Sequence, residues 1–210
     1  MHSIIADLNW RYATKKFDPS KKVGPETWSI IQKSLQLVPT SYGLQEMQFI
    51  VVESKNTRVE LKEAAFGQSP ITDASHLLIM CATKEISPKH IDAHINRTAK
   101  VRNLEIEKMQ GYSEFLKGMI SRMPAEKQTA WNSKQVYIAL GQLLHTCAIL
   151  KVDVLPMEGF DAAKFDDILS LDQDNLTAVV VCPIGYRHAD DSTQKLPKVR
   201  KAIDQLFRTI

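Results

Sequence analysis

The chain has 210 residues, 44% hydrophobic and 24% charged, the balance of one ordinary globular domain that buries its own core, which excludes disorder. Its 27 basic and 24 acidic residues leave a net charge of +3, too small to imply a nucleic-acid partner unless the positive charge gathers on one face. No run approaches the roughly 20 apolar residues of a membrane helix, and no basic stretch precedes an apolar one at the N-terminus, so a cytoplasmic protein without a membrane partner is expected.

In chain order, Ser3 caps a first amphipathic helix carrying Ile4, Ile5 and Leu8, and Pro25 opens a second with Trp28, Ile31 and Leu35 on one face. After the loop Val38 to Gly43, Phe49 to Val52 reads as a buried strand, Thr57 to Phe66 as a helix, and Leu77 to Cys81 as another strand. Residues 88 to 123 are polar and lack any β-rich run, which predicts one or two largely exposed helices, a lid or dimer arm. From Pro124 onward, Trp131, Val136, Leu140, Leu143, Leu144, Cys147 and Leu150 form the wide apolar surface of a central core helix. A short strand at Val152 to Leu155, a helix capped by Asp161, the strongest strand at Leu176 to Ile184 and a basic C-terminal tail complete one domain over residues 1–210. Helices outnumber strands and do not alternate with them regularly, so the fold class is α+β.

Cys81, Cys147 and Cys182 sit in apolar stretches with no Cys-x-x-Cys spacing and read as reduced core residues. No Gly-x-Gly-x-x-Gly or phosphate-loop motif is present, so a nucleotide cofactor must be held by basic side chains and irregular loops. Arg11 and Lys15, four apart at the end of the first helix, and Lys198 and Arg200, alternating after Pro197, form two cationic ends that suit a phosphate; the alternative is two solvated basic faces. His90 and His94 stand one helical turn apart without a third ligand, so no metal is expected. Asp73, Ser75 and His76 have the residue types of a hydrolytic triad, but neighbours in a chain cannot converge as a triad must, and a turn leading into a strand is expected there. Pro156-Met157-Glu158-Gly159, between a strand and an Asp-capped helix, is a place where backbone N–H groups can face a ligand, or simply a turn.

Six segments in order give the chain its resemblance: Arg11 to Asp18, Pro39 to Gln45, Thr72 to His76, Lys134 to Tyr137, Pro156 to Asp161 and Leu196 to Arg200. Over nearly its whole length the sequence resembles the FMN-dependent nitroreductase family, in particular the oxygen-insensitive NAD(P)H nitroreductase and dihydropteridine reductase branch. That resemblance implies a central mixed sheet surrounded by helices, and an intertwined homodimer with two FMN sites at the subunit interface. It implies hydride transfer from NAD(P)H to FMN and then two-electron reduction of nitro-aromatic or quinone-like acceptors, with pteridine, enone or other flavin-accessible substrates as the alternative, or flavin binding without turnover. In such a site Arg11, Lys198 and Arg200 would hold the FMN phosphate, and Lys15 would lie near the flavin N1 and O2 edge. Gln68 would meet the polar edge or ribityl chain, while Pro156, Met157, Glu158 and Gly159 would cover one ring face and offer a backbone N–H to N5. Pro39, Thr40, Ser41 and Gly43 would come from the other subunit, and Tyr12, Ala13 and Gln135 complete the cofactor-binding candidates. No side chain need act as acid or base, because the flavin carries the chemistry and Lys15 and the Glu158 backbone tune it.

The sequence departs from the family pattern at several positions. Ala13 stands where Ser is common, Ile71 or Thr72 where a second flavin-edge Lys often sits, Tyr42 and Gly43 in place of Thr and Asn, and Glu46 and Met47 where Pro and an aromatic usually follow Gln45. The first two reduce polar support for FMN, and Glu46 and Met47 bear on substrate preference. No acidic residue occupies a recognisable ribose position, which leaves NADH and NADPH both as donors.

Overall fold

The computed structural model describes residues 3–210. Helix α1 runs Ser3–Trp10 and α2 runs Pro25–Gln36, the latter started by Pro25 at its first turn, where a missing N–H costs nothing. Ser3 is the first residue of α1 and not its cap. Strand β1 (Met47–Val51) follows, then α3 (Lys55–Ala64), whose first turn is capped by the Ser54 hydroxyl accepting from the Thr57 N–H. The single turn α4 (Pro70–Asp73) leads into β2 (His76–Thr83).

Residues 88–121 form α5 (Pro88–Arg102) and α6 (Gln110–Ser121), two helices with one buried stripe each, in which Ile91, Ile95, Leu116 and Ile120 join Leu44 and Ile86 in a small core of their own. The 25-residue α7 (Ala125–Ile149) is the central helix expected from its apolar stripe. The chain closes with β3 (Asp153–Val154), α8 (Ala162–Leu169) capped by Asp161, β4 (Leu176–Gly185) and the short α9 (Ile203–Leu206).

The strands lie in the order β1-β2-β4-β3, and every pairing among the described residues is antiparallel, which corrects the expectation of a mixed sheet. Continuous apolar runs such as Leu77 to Ala82 report that both faces of a strand are covered; they carry no information on its direction. Alternate residues of β2 enter different cores. Leu77, Ile79 and Cys81 pack with α3 and α8 residues such as Leu61 and Phe165, whereas Leu78, Met80 and Ala82 pack with Ile31 of α2 and Val136, Leu140 and Leu143 of α7. The result is a sheet between two helical layers, with its strand ends and the loops beyond them free to carry a site.

Candidate functional site

The segment after α1 is not helical. The helix stops at Trp10, so Arg11 and Lys15 do not share a helical face as their spacing suggested; residues 11–17 run as an irregular strap that bends at Lys15 and Lys16 and ends in a bridge between Phe17 and Arg187. Two acids far away in sequence hold that strap. Asp191 accepts from the Tyr12 hydroxyl at 3.0 Å and from the N–H groups of Lys15 and Lys16 at 2.8 and 3.1 Å. Asp153, buried at the start of β3, accepts from the Thr14 hydroxyl and takes the Arg187 guanidinium through Nε at 3.0 Å and Nη2 at 2.6 Å. The same guanidinium lies against the Trp10 ring at 4.1 Å and the Tyr12 ring at 4.5 Å. Burial opposes ionisation of Asp191, yet its bonds from Thr193, Lys15, Lys16 and Tyr12 prevail and hold its carboxyl down at about 2. Burial and the Asp191 bond push the Tyr12 phenol up to about 12.

This fixed strap brings Arg11 to the C-terminal segment. Arg11, Tyr12 and Ala13 face Pro197, Lys198 and Arg200 across a cleft of about 350 Å³, and the Lys198 ammonium donates to the Arg11 carbonyl. Burial and the neighbouring Arg200 lower the pKa of Arg11, and burial with Arg11, Arg200 and Arg187 lowers that of Lys198. Three cations thus crowd one another with no carboxylate bonded to any of them among the described residues, an arrangement that a phosphate dianion would relieve. The side chain of Lys15 is exposed and lies outside this cleft.

A second group of candidates lies where the chain leaves β3. Met157 pairs with Val181 by mutual N–H to carbonyl bonds of 2.8 and 3.0 Å, and Gln68 donates from Nε2 to the Gly159 carbonyl at 2.7 Å. The turn is therefore rigid, while the Glu158 and Gly159 N–H groups have no acceptor among the described residues. Glu158 accepts from the Tyr137 hydroxyl at 2.5 Å, and burial together with that bond pushes the Tyr137 phenol up to about 12.

The third group is the Pro39 to Gly43 loop, which lines no part of the cationic cleft of its own chain. Its shape depends on left-handed backbone at Tyr42 (φ 57°) and Gly43 (φ 70°), and a Cβ on Gly43 would come within 3.3 Å of the His94 ring. Gln135 is buried beneath it and accepts from the Ser41 N–H at 2.9 Å, so this residue supports the loop. The Thr40 hydroxyl accepts from the Gln45 N–H.

His90 bonds the Leu44 carbonyl, and no group of three metal-ligating side chains exists among the described residues. Ser75 accepts from the Val23 N–H and meets His76, whose ring stacks on Trp28, so the Asp73 to His76 segment is a structural turn with no triad geometry. Burial pushes the Cys81 and Cys147 thiols up to about 12 and that of Cys182 higher still, so none is a ready nucleophile. Sequence reasoning missed Asp153, Arg187 and Asp191, because their partners lie 34 to 179 residues away and no local spacing announces them.

No described helix is long and apolar enough to cross a membrane. The chain is 31% identical over 213 residues to the "Major NAD(P)H-flavin oxidoreductase" of Aliivibrio fischeri, covering 98% of both. Among solved structures it superposes with a TM-score of 0.82 on a protein of Exiguobacterium sibiricum determined in complex with FMN, at 20% identity over 99% of this chain and 97% of that one. It also superposes on an enone reductase of gut-bacterial fatty acid saturation metabolism with a TM-score of 0.81, at 17% identity over 100% and 99% of the two chains. The profile described as "Nitroreductase family" matches residues 8–186, and with the strap, the cationic cleft and the 156–159 turn all in place on this fold, the chain belongs to the nitroreductase family.

Proposed function

We propose that this protein is a homodimeric, FMN-dependent NAD(P)H oxidoreductase that reduces nitro-aromatic or quinone-like acceptors. The observation that carries the reading is the crowding of Arg11, Lys198 and Arg200 around one cleft without a counter-charge, the donor set a flavin phosphate needs. The Glu158 and Gly159 N–H groups are free to meet the flavin edge, with Gln68 bracing the turn behind them. Bound FMN would supply the redox chemistry, taking hydride from NAD(P)H and passing an electron pair to the acceptor. The protein's part is to hold the phosphate, orient the ring and leave one face open. The A. fischeri relative's name supports NAD(P)H as donor, and the enone reductase neighbour supports activated alkenes as a second acceptor class.

Purified protein should be yellow and should bleach on anaerobic addition of NADH or NADPH, with colour returning on addition of a nitro-aromatic or quinone. A colourless protein that takes up no FMN overturns the reading; a yellow protein that never bleaches reduces it to flavin binding without turnover.

Support for the dimer comes from apolar surface that one chain leaves open. Ile5 and Leu8 of α1, Ile138 and Ile149 of α7, and Ile203, Leu206 and Phe207 near the C-terminus are all exposed, and Phe207 is 74% exposed. Isologous pairing would bury them and bring the Pro39 to Gly43 loop of one chain to the site of the other. Light scattering is expected to give twice the mass of one chain; a monomer that holds stoichiometric FMN would exclude the shared site.

Lys15 is proposed to sit beside the flavin N1 and O2 edge, where reduction places negative charge. An ammonium there stabilises the reduced cofactor more than the oxidised one, by about 1–3 kcal/mol, equivalent to roughly 20–65 mV for a two-electron couple. Lys15→Met should retain FMN but show a lower two-electron potential in a dye-equilibrated titration, with Lys15→Arg intermediate. An unchanged potential would leave Lys15 an ordinary surface lysine.

A further inference from the structure

The Glu46 side chain is fully buried, and no other residue offers a partner to either carboxylate oxygen. Glu46 joins the Thr40 to Gln45 loop to β1. The strand side is pinned, since the Thr83 N–H donates to the Glu46 carbonyl at 3.1 Å and the β1–β2 ladder follows. The loop side is irregular, with left-handed backbone at Tyr42, Gly43 and Gln45.

The layer under this junction is neutral and already committed. Gln128, Asn132 and Gln135 share one buried face of α7, but Gln128 accepts from the Ile86 N–H, Asn132 donates to the Thr83 carbonyl at 2.6 Å, and Gln135 accepts from Ser41. The Asn132 Oδ1 has no partner either. Of the charged and titratable groups on adjoining elements, His90 is bonded to the Leu44 carbonyl, His94 lies against Gly43, Arg97 lines a cleft with Leu44 and Gln45, and Lys84 beyond β2 is paired with Asp166 and Asp172. None of them bonds the Glu46 carboxyl. A carboxylate left without donors or a cation costs several kcal/mol, so only the neutral acid suits this position. Burial pushes its titration up to about 7, outweighing the smaller opposing pull of its own backbone N–H.

We propose that Glu46 is a positioning residue for the cofactor site: neutral, it stays buried and holds the Thr40 to Gln45 loop down on α7; ionised, it withdraws toward water and lifts the loop. The proposal rests on the reading above that this loop completes the FMN site of the partner. The loop yields before β1 does, because only β1 is tied into a ladder. The sign follows from linkage. The carboxyl is neutral in both folded and unfolded chains well below its ordinary value of 4.5, and the closed arrangement loses its advantage progressively as pH rises from about 4.5 to about 7, above which the loss is complete.

The test is FMN titration of the apo-dimer between about pH 5 and 8 for the unsubstituted protein and for Glu46→Gln, which keeps the shape and cannot ionise. The FMN phosphate titrates alike in both proteins, so the ratio of their affinities isolates Glu46. FMN affinity of the unsubstituted protein relative to Glu46→Gln is expected to fall by up to tenfold per pH unit between about pH 4.5 and 7 and to level off above about pH 7. A ratio that stays constant while both bind FMN tightly overturns the role of Glu46 and leaves the flavin reading standing; no FMN binding by either protein at any pH overturns both. Should Glu46→Gln not fold, hydrogen exchange in the unsubstituted protein decides. Amides of residues 40–45, corrected for intrinsic exchange, should lose protection as pH rises from about 5 to about 7, and unchanged protection overturns the proposal.

Discussion

Replacing Asp153 with alanine is expected to destabilise the protein by about 3–5 kcal/mol, the range for removing one member of a buried ion pair and leaving the other uncompensated. The Asp153 side chain is only 2% exposed and that of Arg187 20%, and the acid also receives the Thr14 hydroxyl and the Arg187 N–H. Alanine therefore leaves a guanidinium, a hydroxyl and a backbone donor short of one shared acceptor. At roughly 2–4 °C per kcal/mol for a chain of this size, the melting temperature should fall by roughly 6–20 °C. Asp153→Asn keeps an oxygen for Thr14 and should lose less. Thermal unfolding followed by circular dichroism measures both, and a fall of under about 2 °C for the alanine variant would show that the Trp10 and Tyr12 rings alone keep Arg187 in place. Because Arg187 and Asp153 together seat the strap that carries Arg11, the variant should also bind FMN more weakly at temperatures where it remains folded.

The second large effect is on the cofactor alone. Arg200→Ala and Lys198→Ala are each expected to weaken FMN binding by roughly 1.5–3 kcal/mol, about tenfold to somewhat over a hundredfold, the worth of a charge-assisted bond to phosphate. Arg200 is exposed in the single chain, so its removal should leave thermal stability nearly unchanged and the loss should appear only in flavin affinity. The effect should shrink as salt screens the cleft. Fluorescence titration of apo-protein with FMN at low and high ionic strength is the measurement. Affinity unchanged in both variants would remove the phosphate from this cleft and leave two solvated basic faces.

Periodicity and punctuation were enough to place most of the elements. The wide apolar stripe from Trp131 to Leu150 could only be a core helix, Pro25 and Asp161 marked helix starts, and the apolar runs around Ile79 and Val180 could only be covered strands, because each rests on contacts within a few residues. The family, and with it the α+β fold, was legible in six short segments for the same reason: each is a local piece of chain whose residue types survive out of context. The direction of the strands was not legible, since a residue buried on both faces gives the same apolar run in a parallel or an antiparallel sheet. Nor was the way Arg11 reaches Lys198. A four-residue spacing reads as one face of a helix, but Asp191 and Asp153 offer the backbone and side chains of residues 12–16 better hydrogen bonds than another helical turn, and those acids come from β3 and from the segment after β4. The burial of Glu46 is the sharpest case. Its position between Gln45 and Met47 is that of an ordinary loop acid, and only the tertiary fold buries it where no other residue offers its carboxyl a donor or a cation. Local sequence determined which segments form helices and strands; long-range contacts decided which charges meet and which one is left alone.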